Sequence, residues 1–159
     1  CVFGALTVMV KKQHILDVGL YDEKFKSCQD WDLWIRISKH CEVDFVPEPL
    51  AKYYIHGDQI STDRKKLIEG RLSIYEKYED EISKHPRIKA SHLLHISTLY
   101  LLDNNRHDGM HYLLRSIKSK PLQVWAYMHV IMSIFFPRMH LELLKRINTS
   151  TVGDSIIYS

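Results

Sequence analysis

Cysteine and glycine are scarce in this 159-residue sequence, and the scarcity of each argues against a class of protein. The three cysteines are an odd set without C-x-x-C spacing, which argues against a disulfide framework and against a structural zinc site. The six glycines form neither a phosphate-cradling loop nor the Gly-x-Ser-x-Gly turn of many hydrolases. Free cysteines are typical of a reducing compartment, so we expect a cytoplasmic protein.

Charge of one sign and long apolar runs are also lacking. With 22 Lys and Arg against 19 Asp and Glu, the net charge is +3 and is spread along the chain. No basic stripe interleaves with aromatic residues, so we predict no nucleic-acid partner. The apolar stretch PLQVWAYMHVIMSIFFP is too short between its prolines for a span of about 20 helical residues. It predicts a buried helix, with a membrane-surface helix as the alternative because Arg138, Lys145 and Arg146 follow it.

The chain opens on an apolar run, CVFGALTVMV, which lacks the basic leader and the small-residue cleavage site of a signal peptide. Such a run is typical of a buried strand that is entered partway through a fold. We therefore expect the chain to be a fragment of a longer protein. Its 45% hydrophobic and 26% charged residues are typical of a folded globular domain.

The spacing of apolar residues changes in character near residue 60. Before that point, short runs predict strands at 6–10, 42–46 and 50–55, with a helix at 12–18 closed by Gly19 and another that begins near Gln29 or Asp30. After it, helical periodicity predicts only helices, at 60–84, 88–102, 107–119, 121–136 and 139–147, the first capped by Ser61 or Thr62. We therefore predict an α/β portion over residues 1–60 and an all-α extension over residues 61–159.

Two of the predicted helices form an αα-hairpin across the turn at residues 103–106. Its sequence, LYLLDNNRHDGMHYLLRSIKSKP, resembles one tetratricopeptide-type repeat, although a stable solenoid needs about three such copies and only one is visible. One hypothesis is therefore a non-catalytic helical interaction module. It accounts for residues 60–147 and leaves the aromatic and acidic residues nearer the start unexplained.

Those residues lie in the stretch VGLYDEKFKSCQDWDLWIRI, at 18–37. Aspartates beside tryptophans are what a sugar-binding pocket needs when a fixed carboxylate must remove a hydroxyl proton, because the aromatic face packs on the ring. The same pattern also fits a core helix that Asp30 caps and the tryptophans pack. Both interpretations stay open on spacing alone.

The order of the segments VGLYDEKF, QDWDLWIRI, VDFVPEPLAKYYIH and QIS resembles the C-terminal half of family 2 glycosyltransferases, the inverting GT-A enzymes. The resemblance covers roughly residues 1–60. It implies the C-terminal part of a Rossmann-like GT-A domain, without the nucleotide-binding half that carries the Asp-x-Asp metal motif. The implied reaction moves a sugar from a nucleotide-diphosphate sugar to a glycan or lipid-linked acceptor with inversion, as in cell-envelope polysaccharide biosynthesis, and the fragment alone would be inactive.

The resemblance also implies roles for individual residues. Asp30 matches the general base, and Trp31, Asp22 and Glu23 would bind the acceptor. Donor diphosphate binding would fall to His56, Arg36 and Ser61, with Arg36 pairing with a neighbouring carboxylate as the alternative. A divalent Mg or Mn ion would be held mainly by the missing half, with His56 as a further ligand. Gln29 departs from the family, which usually has Glu there, and this weakens any metal or acceptor role at that position.

Helical geometry separates the two aspartates of this motif. Asp32 follows Asp30 by two residues, about 200° around a helix, so both cannot face one hydroxyl. We therefore predict a capping or structural role for Asp32 and a core position for Trp34.

Ten histidines raise the alternative of a metalloprotein, with pairs at His92/His95 and His107/His111. No H-E-x-x-H motif or third ligand accompanies them, so we favour capping or exposed roles. For location, we expect the cytoplasm, with peripheral contact on the inner face of the plasma membrane through residues 121–147.

Overall fold

The computed structural model describes residues 7–48, residue 50 and residues 63–154, with side chains described as far as residue 147. Within these residues the chain forms eight α-helices and no β-strand. They are α1 (Lys12–Asp17), α2 (Gln29–Ser38), α3 (Arg64–Lys77), α4 (Glu79–Ser83), α5 (Pro86–Leu102), α6 (Arg106–Ser119), α7 (Val124–Phe135) and α8 (Pro137–Asp154).

The predicted α/β fold class is wrong, because the described parts of the predicted strands are not strands. Residues 7–10 and 42–46 have no strand pairing, and of the predicted strand at 50–55 only residue 50 is described. A strand needs a neighbour for its backbone hydrogen bonds and a surface that buries alternate side chains. The alternating Val43 and Phe45 are instead 58% and 76% exposed, so their pattern is not used in packing within the described structure.

Most of the predicted helices are present, and the differences have local causes. The helix predicted over 60–84 begins at Arg64, where the side chain of Asp63 accepts a hydrogen bond from the Lys66 amide and acts as the cap. It breaks at Tyr78 (φ −113°, ψ 19°), which separates α3 from α4. The proposed caps Ser61 and Thr62 lie outside the described residues, as does the predicted domain boundary at residues 60 and 61.

The start of α2 differs from a conventionally capped helix. Cys28 precedes it in the left-handed conformation, at φ 60°, and makes no side-chain capping bond. Asp30 is therefore not the cap that the core-helix alternative required. With Asp32 it lies in the first turn, where the helix dipole stabilises negative charge. Gly19 has φ +87° and closes α1 as predicted.

The main core forms where α3, α4 and α5 meet α2 and the loop that precedes it. Six buried residues make up one cluster: Ile74, Tyr75, Tyr78, Ile82, Leu93 and Ile96. Phe25 and Trp31 pack against this cluster from the α2 side. Gly70 brings α3 against the loop before α2, because a Cβ there would lie 2.7 Å from the Ser27 carbonyl oxygen.

Two buried serines join α5 to α6 in the predicted hairpin. The Ser97 hydroxyl donates to the Gly109 carbonyl at 2.7 Å, and the Ser116 hydroxyl donates to the Ala90 carbonyl at 2.7 Å. These bonds lie toward opposite ends of the helix pair, so they set its register as well as its spacing. The αα-hairpin prediction is confirmed.

The last two helices continue from this hairpin. α7 packs on α6, and α8 packs on both α7 and α5, where Leu144 joins Leu101 and Leu102 in a second buried cluster. No described helix has both the length and the apolar content that crossing a bilayer requires. α7 and α8 thus pack against the α5–α6 hairpin.

Candidate functional site

The predicted structural role of Asp32 is confirmed by its surroundings. Its side chain is fully buried, and its carboxylate lies 2.8 Å from an Arg36 guanidinium nitrogen and 2.6 Å from the Lys77 ammonium. The Tyr78 hydroxyl donates to the same carboxylate at 2.8 Å. Burial alone would raise the pKa of Asp32, but the hydrogen bonds from Lys77, Tyr78 and Arg36 outweigh it and hold the pKa below its usual value.

Arg36, a predicted donor-binding residue, is engaged in the same network. Besides Asp32, its guanidinium donates to the carbonyls of Val18 and Leu20, the latter at 2.6 Å. These bonds close the loop between α1 and α2. Arg36 therefore pairs with a neighbouring carboxylate, that of Asp32, which is the alternative predicted for it.

Asp22 joins the network through Lys77, whose ammonium lies 2.9 Å from it and also contacts Asp32. The hydrogen bond from Lys77, followed by one from the Lys24 amide, lowers the pKa of Asp22. Glu23, the next residue, is exposed. The structure thus brings Asp22, Asp32 and Arg36 together around one lysine and leaves Glu23 on the surface.

Asp30 and Trp31, the predicted base and acceptor platform, lie beside α3. The guanidinium of Arg71 stacks on the Trp31 ring, 3.6 Å from its centroid, and so covers one face of the indole. The carboxylate of Asp30 accepts a hydrogen bond from the Trp31 amide at 3.0 Å. Burial lowers the pKa of Arg71, while its interactions with Cys28 and Asp30 oppose that shift.

The remaining predicted site residues, His56 and Ser61, lie outside the described residues. The part of the chain that the structure describes contains no group of three or more His, Cys, Asp and Glu side chains that could hold a metal ion. The Mg or Mn ion therefore stays a prediction.

A second region is unusual because α7 has its polar side turned inward. Ala126 and Ser133 are buried and His129 is half-buried, whereas Trp125 and Phe135 are 69% and 70% exposed. The predicted burial of this helix is therefore wrong. Twelve large hydrophobic side chains are exposed over residues 122–147 and define what we call the apolar face: Leu122, Val124, Trp125, Tyr127, Met128, Ile131, Ile134, Phe135, Phe136, Met139, Leu143 and Ile147.

Three polar side chains hold the inner side of α7 to α8. Nδ1 of His129 lies 2.8 Å from Nε2 of His140, and Nδ1 of His140 lies 2.9 Å from the Ser133 hydroxyl. Burial, followed by the charges of His129 and Arg106, lowers the pKa of His140 to about 4, and burial also lowers that of His129. Both rings are therefore neutral at pH 7.

The sequence did not reveal the partners that complete the network around Asp32 and Trp31. Lys77 and Tyr78 contact Asp32, and Arg71 stacks on Trp31. All three lie on or next to α3, more than 30 residues after their partners, and no local pattern connects them.

His129 and Ser133, spaced at i, i+4, mark a polar stripe on an otherwise apolar helix. The apolar side of such a helix usually faces the core, so this pattern predicts the opposite of the orientation observed.

The comparisons with known proteins give no relative from which a role could be transferred. No protein-family model matches the chain, and neither a curated protein nor a solved structure does. Together with the absence of strands among the described residues, this makes the predicted membership of the family 2 glycosyltransferases wrong. The roles that this resemblance implied for Asp30, Trp31 and the donor-binding residues lose that support and stay predictions.

Proposed function

We propose that the chain is a non-catalytic helical interaction module that rests on the surface of a membrane through residues 121–147. The observation that carries this proposal is the inverted orientation of α7, with its histidine and serine inside and its aromatic and aliphatic side chains outside. The α5–α6 hairpin, joined by its two buried serine bonds, is the support for this surface.

An apolar face of this extent is unfavourable in water. Transfer of apolar surface out of water is worth about 25 cal/mol for each Å². Contiguous exposed patches beyond a few hundred Å² are rare on monomeric proteins and mark sites of protein or membrane contact. Ten of the twelve side chains belong to the consecutive helices α7 and α8, and Leu122 and Phe136 lie just before those helices, so one docking event would cover many of them.

Charge favours an anionic lipid surface as the occupant. Residues 120–147 contain four basic side chains, Lys120, Arg138, Lys145 and Arg146, against the single acidic Glu142, a net charge of +3 with neutral histidines. An amphipathic helix with aromatic residues on one side and basic residues at its edge is typical of binding in the interface of a membrane. The cytoplasmic leaflet carries the anionic lipids that such a surface attracts, which fits the inner face of the plasma membrane.

A second copy of the chain fits the same face less well. A two-fold symmetric dimer would bring two copies of the same net positive surface face to face, and like charges across an interface are repulsive. Lipid headgroups of negative charge have the opposite effect. We therefore assign the apolar face to a membrane rather than to self-association.

A vesicle flotation experiment tests the proposal. The protein should float with phosphatidylcholine vesicles that contain phosphatidylserine, and less with phosphatidylcholine alone or in high salt. Ile131→Glu should weaken binding by at least about threefold to tenfold, because Ile131 is 53% exposed and about 0.8–1.5 kcal/mol of apolar burial is lost.

The matched control is Leu114→Glu on α6, since Leu114 and Ile131 are 56% and 53% exposed. Leu114→Glu should bind vesicles like the unmodified chain. The proposal fails if neither vesicle type binds the protein, or if both variants lose binding equally. Sedimentation equilibrium should show a monomer, and a dimer that Ile131→Glu dissociates would assign the apolar face to self-association.

A further inference from the structure

A cavity of about 270 Å³ opens where the end of α5, the start of α6 and the α7–α8 junction meet. Five polar residues line it together with apolar residues of α5 and α8: Asn104, Arg106, Ser133, Arg138 and His140. Two of them are arginines, and the lining includes no carboxylate. The cavity is therefore positively charged.

The donors in the cavity suit an oxyanion. A guanidinium has five N–H donors, and Arg106 uses one of them on the Ser133 carbonyl, a bond that also fixes the side chain against α7. Arg138, in the first turn of α8, is the second arginine of the lining. Guanidinium groups recognise phosphate through paired N–H bonds, a geometry that a lysine cannot supply.

The position of the cavity indicates where the phosphate comes from. Arg138 stands in sequence between Phe136 and Met139, which are both exposed members of the apolar face. A lipid whose tails lie along that face therefore has its headgroup near this opening. We propose that the cavity binds the phosphate group of a lipid headgroup, an inference that rests on the proposed membrane docking.

The proposal predicts a headgroup preference beyond surface charge. At matched surface charge, vesicles with phosphatidic acid, which has a terminal phosphate, should bind the chain about tenfold more tightly than vesicles with phosphatidylserine. Arg106→Gln and Arg138→Gln should each remove this preference. Arg106 lies outside the basic residues counted over 120–147, so Arg106→Gln should leave the phosphatidylserine binding. Arg138→Gln also removes one of those charges and should weaken binding to phosphatidylserine as well. Arg106→Gln also loses the bond to Ser133, so thermal unfolding followed by circular dichroism must show that both variants fold.

The matched control is Arg87→Gln, an exposed arginine at the opposite end of α5. It should keep the full preference for phosphatidic acid. If Arg87→Gln lost the preference for phosphatidic acid to the same extent, the preference would depend on overall positive charge and not on the cavity, and the proposal would be overturned. Wild-type binding to both vesicle types without preference would overturn the phosphate site and leave membrane docking intact.

A titration with soluble phosphate compounds distinguishes a lipid headgroup from free phosphate as the ligand. Glycerol 3-phosphate and inorganic phosphate are titrated against the chain while the amide NMR signals of Arg106 and Arg138 are followed. Shifts that saturate and that disappear in Arg138→Gln support the phosphate site. The same shifts in a chain that binds no vesicles would instead make it a site for soluble phosphate and overturn both the lipid assignment and membrane docking.

Discussion

Asp30 and Asp32 show how far the surroundings of two neighbouring aspartates can differ. Asp32 is fully buried beneath Arg36, Lys77 and Tyr78, whereas Asp30 is partly exposed and takes its hydrogen bond from the adjacent amide. Helix geometry predicts that the two face apart. It does not predict the partners of Asp32, because Lys77 at the end of α3 and Tyr78 directly after it come from a later segment whose packing depends on the whole core.

Substitution separates the two aspartates by their contribution to stability. Asp32→Asn should lower the free energy of unfolding by about 2–3 kcal/mol. Breaking a fully buried ion pair costs ~3–5 kcal/mol. The expected loss is smaller here because the Lys77 side chain is 35% exposed, so water can solvate its ammonium when Asp32 is replaced. Asp30→Asn should change it by less than about 1 kcal/mol. Urea denaturation measures both, and equal losses would show that Asp32 does not anchor the network.

The stability held by Asp32 also has a pH dependence. Its pKa is lowered in the folded chain, so the unfolded chain takes up a proton first as the pH falls. The stabilisation by Asp32 is complete above pH 4, about the pKa of an aspartate in the unfolded chain. It is lost as the pH falls from there through the lower pKa that Asp32 has in the folded chain.

At the scale of helices, contact between α3 and the loop before α2 depends on one glycine. Helix propensity alone predicts that Gly70→Ala stabilises the chain by about 1 kcal/mol. The added Cβ would lie 2.7 Å from the backbone oxygen of Ser27, which cannot rotate away. We expect a net loss of about 1–3 kcal/mol instead, the usual cost of overpacking.

The control for that prediction is Glu69→Ala, an exposed neighbour on the same helix. It should change the free energy of unfolding by no more than about 0.5 kcal/mol. A gain in thermal stability for Gly70→Ala would mean that α3 and the loop lie farther apart than the structure places them.

The packing of α8 on α7 should weaken in acid. His140 has its pKa lowered from 6.5 to about 4, so stability is complete above about pH 6.5 and falls as the pH drops toward 4. The groups that face this ring are His129, Ser133 and Arg106, none of which is a carboxylate that would stabilise its charged form.

Thermal unfolding of His140→Gln between pH 8 and 4 measures this contribution. The variant should show a shallower fall in melting temperature than the unmodified chain. The pKa of His95 is also lowered to about 4, so both proteins lose some thermal stability in acid because of His95. The difference between their melting temperatures at each pH isolates the contribution of His140. His107→Gln, with a side chain 94% exposed, should keep the full slope.

For the whole molecule, helices could be predicted from sequence and the fold class could not. The periodicity of α5 and α6, together with Pro86 at the start of α5, is local information, and it placed the hairpin correctly. The alternation of Val43 and Phe45 is also local, but a strand exists only if a partner strand pairs with it. The orientation of α7 likewise depended on which side met the rest of the chain.

Docking of the whole molecule should be visible in its tryptophan fluorescence. The chain has three tryptophans, and Trp125 is the one that lies on the apolar face. Vesicles with phosphatidylserine should shift the emission to shorter wavelength as the Trp125 indole enters the membrane interface. Trp125→Phe should keep most of the binding but lose the shift, whereas Trp34→Phe should keep both. A shift that survives in Trp125→Phe would place another part of the chain at the lipid.

The contacts among Ser133, His140 and His129 allow two arrangements of their hydrogens. In one, Ser133 donates to Nδ1 of His140, and Nε2 of His140 donates to Nδ1 of His129. In the other, every bond runs the opposite way, with the same number of protons. A tautomer change in either ring therefore requires one in the other and a rotation of the hydroxyl, so the three side chains reverse their polarity together while their heavy atoms stay in place.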